Sequence, residues 1–301
     1  MSATDQSNTD PLKKLSLCPP ESPEALAIRF ERERRALLDQ KERQLESCAQ
    51  TFRIGTVPYL NAAPLTRGLG ESLVALPPTE LARWLRDDRL DAGLISVTEP
   101  LMHDRYDILD GIAVASLGEV RSVFLAHKIP LEEIRLIHLD PASLTSVNLL
   151  KALLAEHGLN PEFTTLDSYD NADQNEATLL IGDPAIRFAA DLPDGFETWD
   201  LGSAWYELTR LPFVYAVWAV QRKPGLEGLK SQLKEAKSFG LETLDRIIEE
   251  SDEFTESFRR DYLSWHIHYH MGEDEKRGLA AFVNLLEKHN LGPIYTPRFV
   301  N

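Results

Sequence analysis

RIGTVPYLNAAPL, residues 53–65, breaks a short apolar run into Pro-Tyr-Leu-Asn and restarts behind a second proline. The segment FRIGTV has the apolar, β-branched character of a buried strand. Pro64 suits the first turn of a helix beginning near Ala63, where a missing N–H costs nothing. A strand that feeds a helix through a short corner is one half of the repeating unit of an α/β protein. This corner carries Thr56, Tyr59 and Asn61, side chains that offer hydrogen bonds without charge. In open α/β sheets, ligands bind in the crevice beyond the carboxyl ends of the strands, where such corners lie.

The same alternation continues outward. DAGLISV, IAVAS, SVFLAHK, RLIHLD, TLLIGD and the long PFVYAVWAV read as strands. Between them, TELARWLRDDRL places Leu81, Trp84 and Leu85 on one helical face, a helix starts at Pro100, another runs from about Thr145 to His157 before Gly158, and PAIRFAAD forms a fourth. After Pro224 the chain is helical to its end, through GLKSQLKEAKSFGLETLDRIIEES, FTESFRRDYLSWHIHYH and EKRGLAAFVNLLEKHN. This order predicts a two-lobed α/β fold with a ligand cleft between the lobes. Residues 51–120 with 221–301 form the larger lobe and residues 121–220 the smaller, with SVFLAHK crossing outward and PFVYAVWAV returning. Residues 1–50 read as an N-terminal extension, polar at first and then a charged helix in SPEALAIRFERERRALLDQKERQLES.

Composition narrows the partners. The 301 residues include 48 acidic and 32 basic side chains, a formal charge of −16, which repels nucleic acid and anionic lipid. A small molecule is the expected partner, and an anionic one must be held by local groups. No apolar run reaches the roughly 18 residues of a membrane span, and the opening lacks the basic-then-apolar layout of a secretory signal. Cys18 and Cys48 read as free thiols of a reducing cytoplasm, so the expected location is cytoplasmic.

The strand ends supply the candidate site. Thr56 to Asn61, Ser96 with Thr98, Asp140 to Ser146, and Gly182 with Asp183 each follow a strand and precede a helix. DPASLTSVNLL offers a helix start with hydroxyls at Ser143, Thr145 and Ser146, where free N–H groups and the helix dipole favour an anion by roughly 0.3 to 1 kcal/mol. Plain N-capping by the same hydroxyls is the alternative. Asp183 either caps its helix or faces the ligand. The stripe Phe213, Tyr215, Trp218 and Val220 reads as core and hinge packing. Phosphate-loop, dinucleotide, nucleophile-elbow and CxxC patterns are absent. His266 and His270 of WHIHYH would share a helix face, but histidines near a helix end suit the dipole and solvent without any metal.

RIGTVPYLNAAPL, GEVRSVFL, LDPASLTSVNLLKALL, LLIGDPAI and LTRLPFVYAVWAV, in this order and spacing from about residue 52 onward, resemble the chorismate dehydratases of the futalosine route to menaquinone. The resemblance implies a type II periplasmic-binding-protein-like fold used as an enzyme, without metal or organic cofactor. The implied reaction is loss of water from chorismate, giving 3-[(1-carboxyvinyl)oxy]benzoate. It also implies catalytic roles for Asn61 and Ser122. Tyr59, Thr56, Ser96, Thr145, Ser146, Gly182 and Asp183 are the expected substrate contacts. Asn61 has no usable proton-transfer pKa and Ser122 is a poor base without an activating neighbour. The expected base is therefore the enolpyruvyl carboxylate of the substrate itself, with Asp183, then Glu99, as rivals. A ligand-sensing protein of the same fold is the competing function. The sister enzyme acting on a cyclic futalosine derivative fits less well, because its first turn reads like CPNDT where this chain has PYLNAAPL.

Overall fold

The computed structural model describes residues 22–49, 51–142 and 144–301. The chain divides into two compact units, residues 1–43 and 44–301. The helix α1, Pro23–Ala49, accounts for the described part of the first unit and enters the second. Along it Ile28, Phe30 and Leu37 are exposed, as a charged helix without an apolar stripe allows. The predicted boundary at residue 50 thus falls earlier, after Arg43. Cys48 is a free, exposed thiol; Cys18 and Ser143 lie outside the described residues.

The second unit holds two sheets. Its elements run β1 Ile54–Thr56, α2 Ala63–Thr66, β2 Leu73–Ala75, α3 Pro78–Arg86, β3 Ala92–Ser96, α4 Thr98–Met102 and β4 Tyr106–Ser116. They continue with β5 Val123–His127, β6 Leu136–Leu139, α5 Leu144–Glu156, β7 Glu162–Thr165, β8 Ala177–Ile181, α6 Gly182–Ala190, β9 Glu197–Asp200 and α7 Leu201–Thr209. Last come β10 Phe213–Gln221, α8 Glu227–Glu242, α9 Leu244–Glu250, α10 Glu256–Asp261, a π-helical turn Tyr262–His266, α11 Glu273–Lys288 and β11 Phe299–Val300. The first sheet has the order β11-β4-β10-β3-β1-β2 and the second β7-β6-β8-β5-β9. In each, parallel βα strands are joined by one antiparallel strand, β10 between β3 and β4 in the first and β5 between β8 and β9 in the second.

This pairing corrects the predicted lobe boundaries. PFVYAVWAV does not cross between lobes: it lies in the middle of the first sheet, so the chain has returned by Leu211 and the smaller lobe ends about ten residues before 220. An uninterrupted apolar run is what a strand flanked on both sides requires. The return turn is held by Arg210 in the left-handed region at φ 59 and by Trp205 Nε1, which donates to the Pro212 carbonyl at 3.1 Å. Trp205 and Phe213 then stack edge-on with Phe282 of α11, sealing the core beside the crossing.

The outward crossing, residues 117–122, is braced differently. Gly118 and Arg121 have positive φ, 89 and 63. The Asp200 carboxylate, at the start of α7, accepts N–H bonds from Val120, Arg121 and Ser203 at 2.8 to 3.2 Å. A Cβ on Gly202 would lie 2.3 Å from the Gly118 carbonyl oxygen, so only glycine lets α7 approach this loop. WHIHYH departs from its helical expectation. The π turn ends the helix at His266, and His268 pairs with Ala115 as an isolated bridge, so His266 and His270 share no helix face.

Candidate active site

Residues from both lobes meet in one cavity of about 70 Å³. Of the predicted residues, Tyr59, Asn61, Ser96, Ser122, Ser146 and Gly182 line it. The remaining wall is apolar, from Val57, Leu94, Val114, Val120, Val123, Ile181 and Ile267, with Tyr215 and Ala216 of β10. No charged side chain is among the described lining residues. Sites for small molecules usually occupy roughly 300 to 1,000 Å³, so this is the cleft with its lobes drawn together.

Two lining residues, Asn61 and Ser122, are joined behind the cavity wall through a third side chain. Asn61 Nδ2 donates to the Tyr262 hydroxyl at 3.3 Å, and that hydroxyl donates to Ser122 Oγ at 2.7 Å. Asn61 lies in the corner after β1, Ser122 at the outward crossing, and Tyr262 opens the π turn. Ser122 and Tyr262 are each about 1% exposed. Burial first, then the Asp183 and Asp200 charges, push the Tyr262 phenol well above its ordinary value against the pull of its hydrogen bonds to Ser122 and Asn61. The phenol therefore keeps its proton and acts as a donor. Tyr262 was not legible as a site residue, since in FTESFRRDYLSW it reads as one more apolar position of a helix.

Thr56, Thr145 and Asp183 do not reach the cavity. Strand alternation turns Val57 inward and leaves Thr56 buried on the other side, its hydroxyl near the Val57 carbonyl. Thr145 is consumed between the lobes: its hydroxyl bonds Ser96 Oγ, Thr98 Oγ1 at 2.7 Å and Thr98 N at 3.1 Å, while its own N–H donates to Ser96 Oγ at 3.0 Å. Asp183 turns to accept the Leu60 N–H at 3.1 Å, capping the short 3₁₀ turn that carries Asn61. Glu99 is likewise engaged elsewhere, paired with Arg86 at 2.9 Å. Tyr215, assigned to the core by its sequence pattern, is buried in the core and also lines the cavity, with its hydroxyl 3.2 Å from Ser116 Oγ.

Three buried aspartates surround the cavity without entering it, each holding the backbone of its wall. Asp140 accepts N–H bonds from Ala142 and Ile181 and the Tyr169 hydroxyl, Asp183 holds Leu60, and Asp200 holds Val120 and Arg121. Burial pushes all three carboxyls above the ordinary aspartate value, partly offset by the N–H bonds they accept. Gly182 completes the wall beneath Tyr59: at φ 61, a Cβ there would stand 3.1 Å from the Tyr59 ring.

The arrangement matches known proteins over most of the chain. The family profile described as menaquinone biosynthesis matches residues 52–288. A Thermus thermophilus protein named chorismate dehydratase is 34% identical over 257 residues, which is 78% of this chain and 95% of the relative. Among solved structures, a protein of Archaeoglobus fulgidus aligns with a TM-score of 0.63 at 20% identity, covering 80% of this chain and 98% of that one. The periplasmic aliphatic sulphonate binding protein of Escherichia coli aligns at 0.53 and 16% identity, covering 83% and 93%. The fold is the two-lobed, type II periplasmic-binding-protein-like one with a helical C-terminal part. The chain belongs to the chorismate dehydratase family of menaquinone biosynthesis.

Proposed function

We propose that this protein removes water from chorismate to give 3-[(1-carboxyvinyl)oxy]benzoate, with Asn61 and Ser122 as its catalytic residues and the substrate as its own base. The observation that carries the reading is that Asn61 and Ser122, from separate lobes, line one cavity with an uncharged lining and share one buried hydroxyl behind its wall. Neutral donors in an apolar wall hold a dianion through amide and hydroxyl dipoles. A lysine there would bind ground state and transition state alike and add nothing to turnover.

The lost proton sits on the ring carbon bearing the enolpyruvyl ether, which the ring carboxylate activates through the intervening double bond. Neither Asp183 nor Glu99 is among the described residues lining the cavity, and each carboxylate is engaged, by the Leu60 N–H and by Arg86. The enolpyruvyl carboxylate, held against that carbon, takes the proton. The C–O bond to the neighbouring hydroxyl breaks, the proton passes to the departing oxygen, and the ring becomes aromatic. Holding an acceptor beside its proton is worth many powers of ten in effective concentration, and a positioned base contributes roughly 10² to 10⁴ in rate.

The test is direct. Purified protein mixed with chorismate replaces the diene absorption by that of a substituted benzoate, and Asn61→Ala and Ser122→Ala each lower kcat by about 10² to 10³. Chorismate that binds and is released unchanged would make this a sensing protein instead.

A further inference from the structure

Both residues assigned to catalysis hydrogen-bond to Tyr262. The backbone that delivers it is unusual: α10 gives way to a π-helical turn beginning at Tyr262 itself. Such turns insert a residue into a helix at a cost, and they occur frequently at functional sites. The ring is set by stacking on Phe258 at 5.4 Å and an interplanar angle of 17°. Phe258 in turn follows the Thr255 cap of α10. The hydroxyl thus occupies a defined point between the two lobes.

Direction along the chain follows from the donor inventory. A phenol has one proton, and Tyr262 gives it to Ser122 Oγ while accepting from Asn61 Nδ2. Ser122 Oγ, already accepting from the phenol, has its own proton left for the cavity it lines. Consecutive hydrogen bonds polarise one another, so each donor in the chain makes the next O–H a stronger one.

Resting on the dehydratase reading above, we propose that Tyr262 is a positioning residue for the elimination: it aims the Ser122 hydroxyl proton at the departing hydroxyl of the substrate and fixes the distance between Ser122 and Asn61. Ser122 donates a hydrogen bond as the C–O bond lengthens. The proton that completes the water molecule is the one taken from the ring carbon by the substrate carboxylate, so the protein neither gains nor loses a proton overall. Tyr262 touches no reacting atom and contributes only in the transition state, where charge grows on the leaving oxygen.

Tyr262→Phe keeps the ring against Phe258 and deletes the hydroxyl. The expected result is a fall in kcat of about 30- to 100-fold with KM within about threefold of wild type. Added to Ser122→Ala, it causes much less than its full single-variant loss, because most of its effect passes through the Ser122 hydroxyl and only the bond to Asn61 remains. Equal kcat in Tyr262→Phe and wild type, or losses that multiply in the double variant, would overturn the role. Should that variant fold poorly, a fluorotyrosine placed at 262 keeps the shape and sharpens the donor. Then kcat rises about two- to fivefold at constant KM, and an unchanged kcat again overturns the role. Wild-type protein that leaves chorismate untouched would remove the dehydratase reading along with this one, whereas wild-type turnover beside an unaffected Tyr262→Phe removes only the latter.

Discussion

Asp183 shows how much a single side chain's direction decides. By type and position it was the rival base for the elimination, a carboxylate at a strand end beside the cleft. Its Oδ1 instead holds the Leu60 N–H and so supports the turn that presents Asn61. Asp183→Asn keeps an oxygen for that N–H and removes the charge. Turnover should stay within about tenfold of wild type; a loss of about 10³ or more would make Asp183 the base. The same variant reads out the electrostatic cost. Burial, partly offset by Leu60 N–H, raises the folded-state pKa above the unfolded value. The folded protein therefore keeps a proton that the unfolded chain has lost, and this stability is present at low pH and lost as pH rises through the folded pKa. Urea midpoints measured from about pH 4 to 7 should decline less steeply in Asp183→Asn than in wild type.

At the scale of elements, the loop between β4 and β5 aims Ser122. It runs through two positive-φ residues, Gly118 and Arg121, and is fastened to the start of α7 by Asp200. Removing that carboxylate strands three N–H groups, one of them the N-cap bond of α7. Asp200→Ala should cost about 2 to 4 kcal/mol in denaturant unfolding. It should also lower kcat more than it raises KM, because Ser122 loses its direction while the cavity lining remains. A variant destabilised by that amount with wild-type kcat would show that β5 alone positions Ser122. This device was invisible in GEVRSVFL, since the partner, Asp200, lies about 80 residues further along the chain.

Across the whole second unit, the lobes are held together by contacts that must break for a substrate to enter. A cavity of about 70 Å³ is smaller than a substrate with two carboxylates and a ring requires. The Thr145 hydroxyl joined to Ser96 and Thr98, and Asp183 joined to Leu60, are among the bonds across the cleft. Ser96 and Thr145 side chains touch, so cysteines at both positions can form a bridge, in a background with Cys18 and Cys48 replaced. Oxidised protein should lose at least about 90% of its turnover and regain it on reduction, because ligand entry needs lobe motion of the kind that gates many enzymes. Full activity in the bridged form would mean that substrate enters without opening.

Local pattern alone determined the alternating strands and helices, the neutral corner at Tyr59 and Asn61 and the helical finish, because each is written in periodicity and turn chemistry within a few residues, whereas Ser122 stood out only through the family resemblance. Short strands such as β2, β7 and β9 escaped it, being three or four residues with exposed faces and little apolar signal. Only tertiary structure decided which face of each corner looks into the cleft: it left Thr56, Thr145 and Asp183 outside the lining, brought Tyr215 to the wall, set Tyr262 behind Asn61 and Ser122, and placed the return crossing before β10. The reason is that hydrogen-bond partners such as Asn61, Tyr262 and Ser122 are separated by up to 201 residues in sequence. Their meeting depends on how two sheets pack, a property that no local window contains.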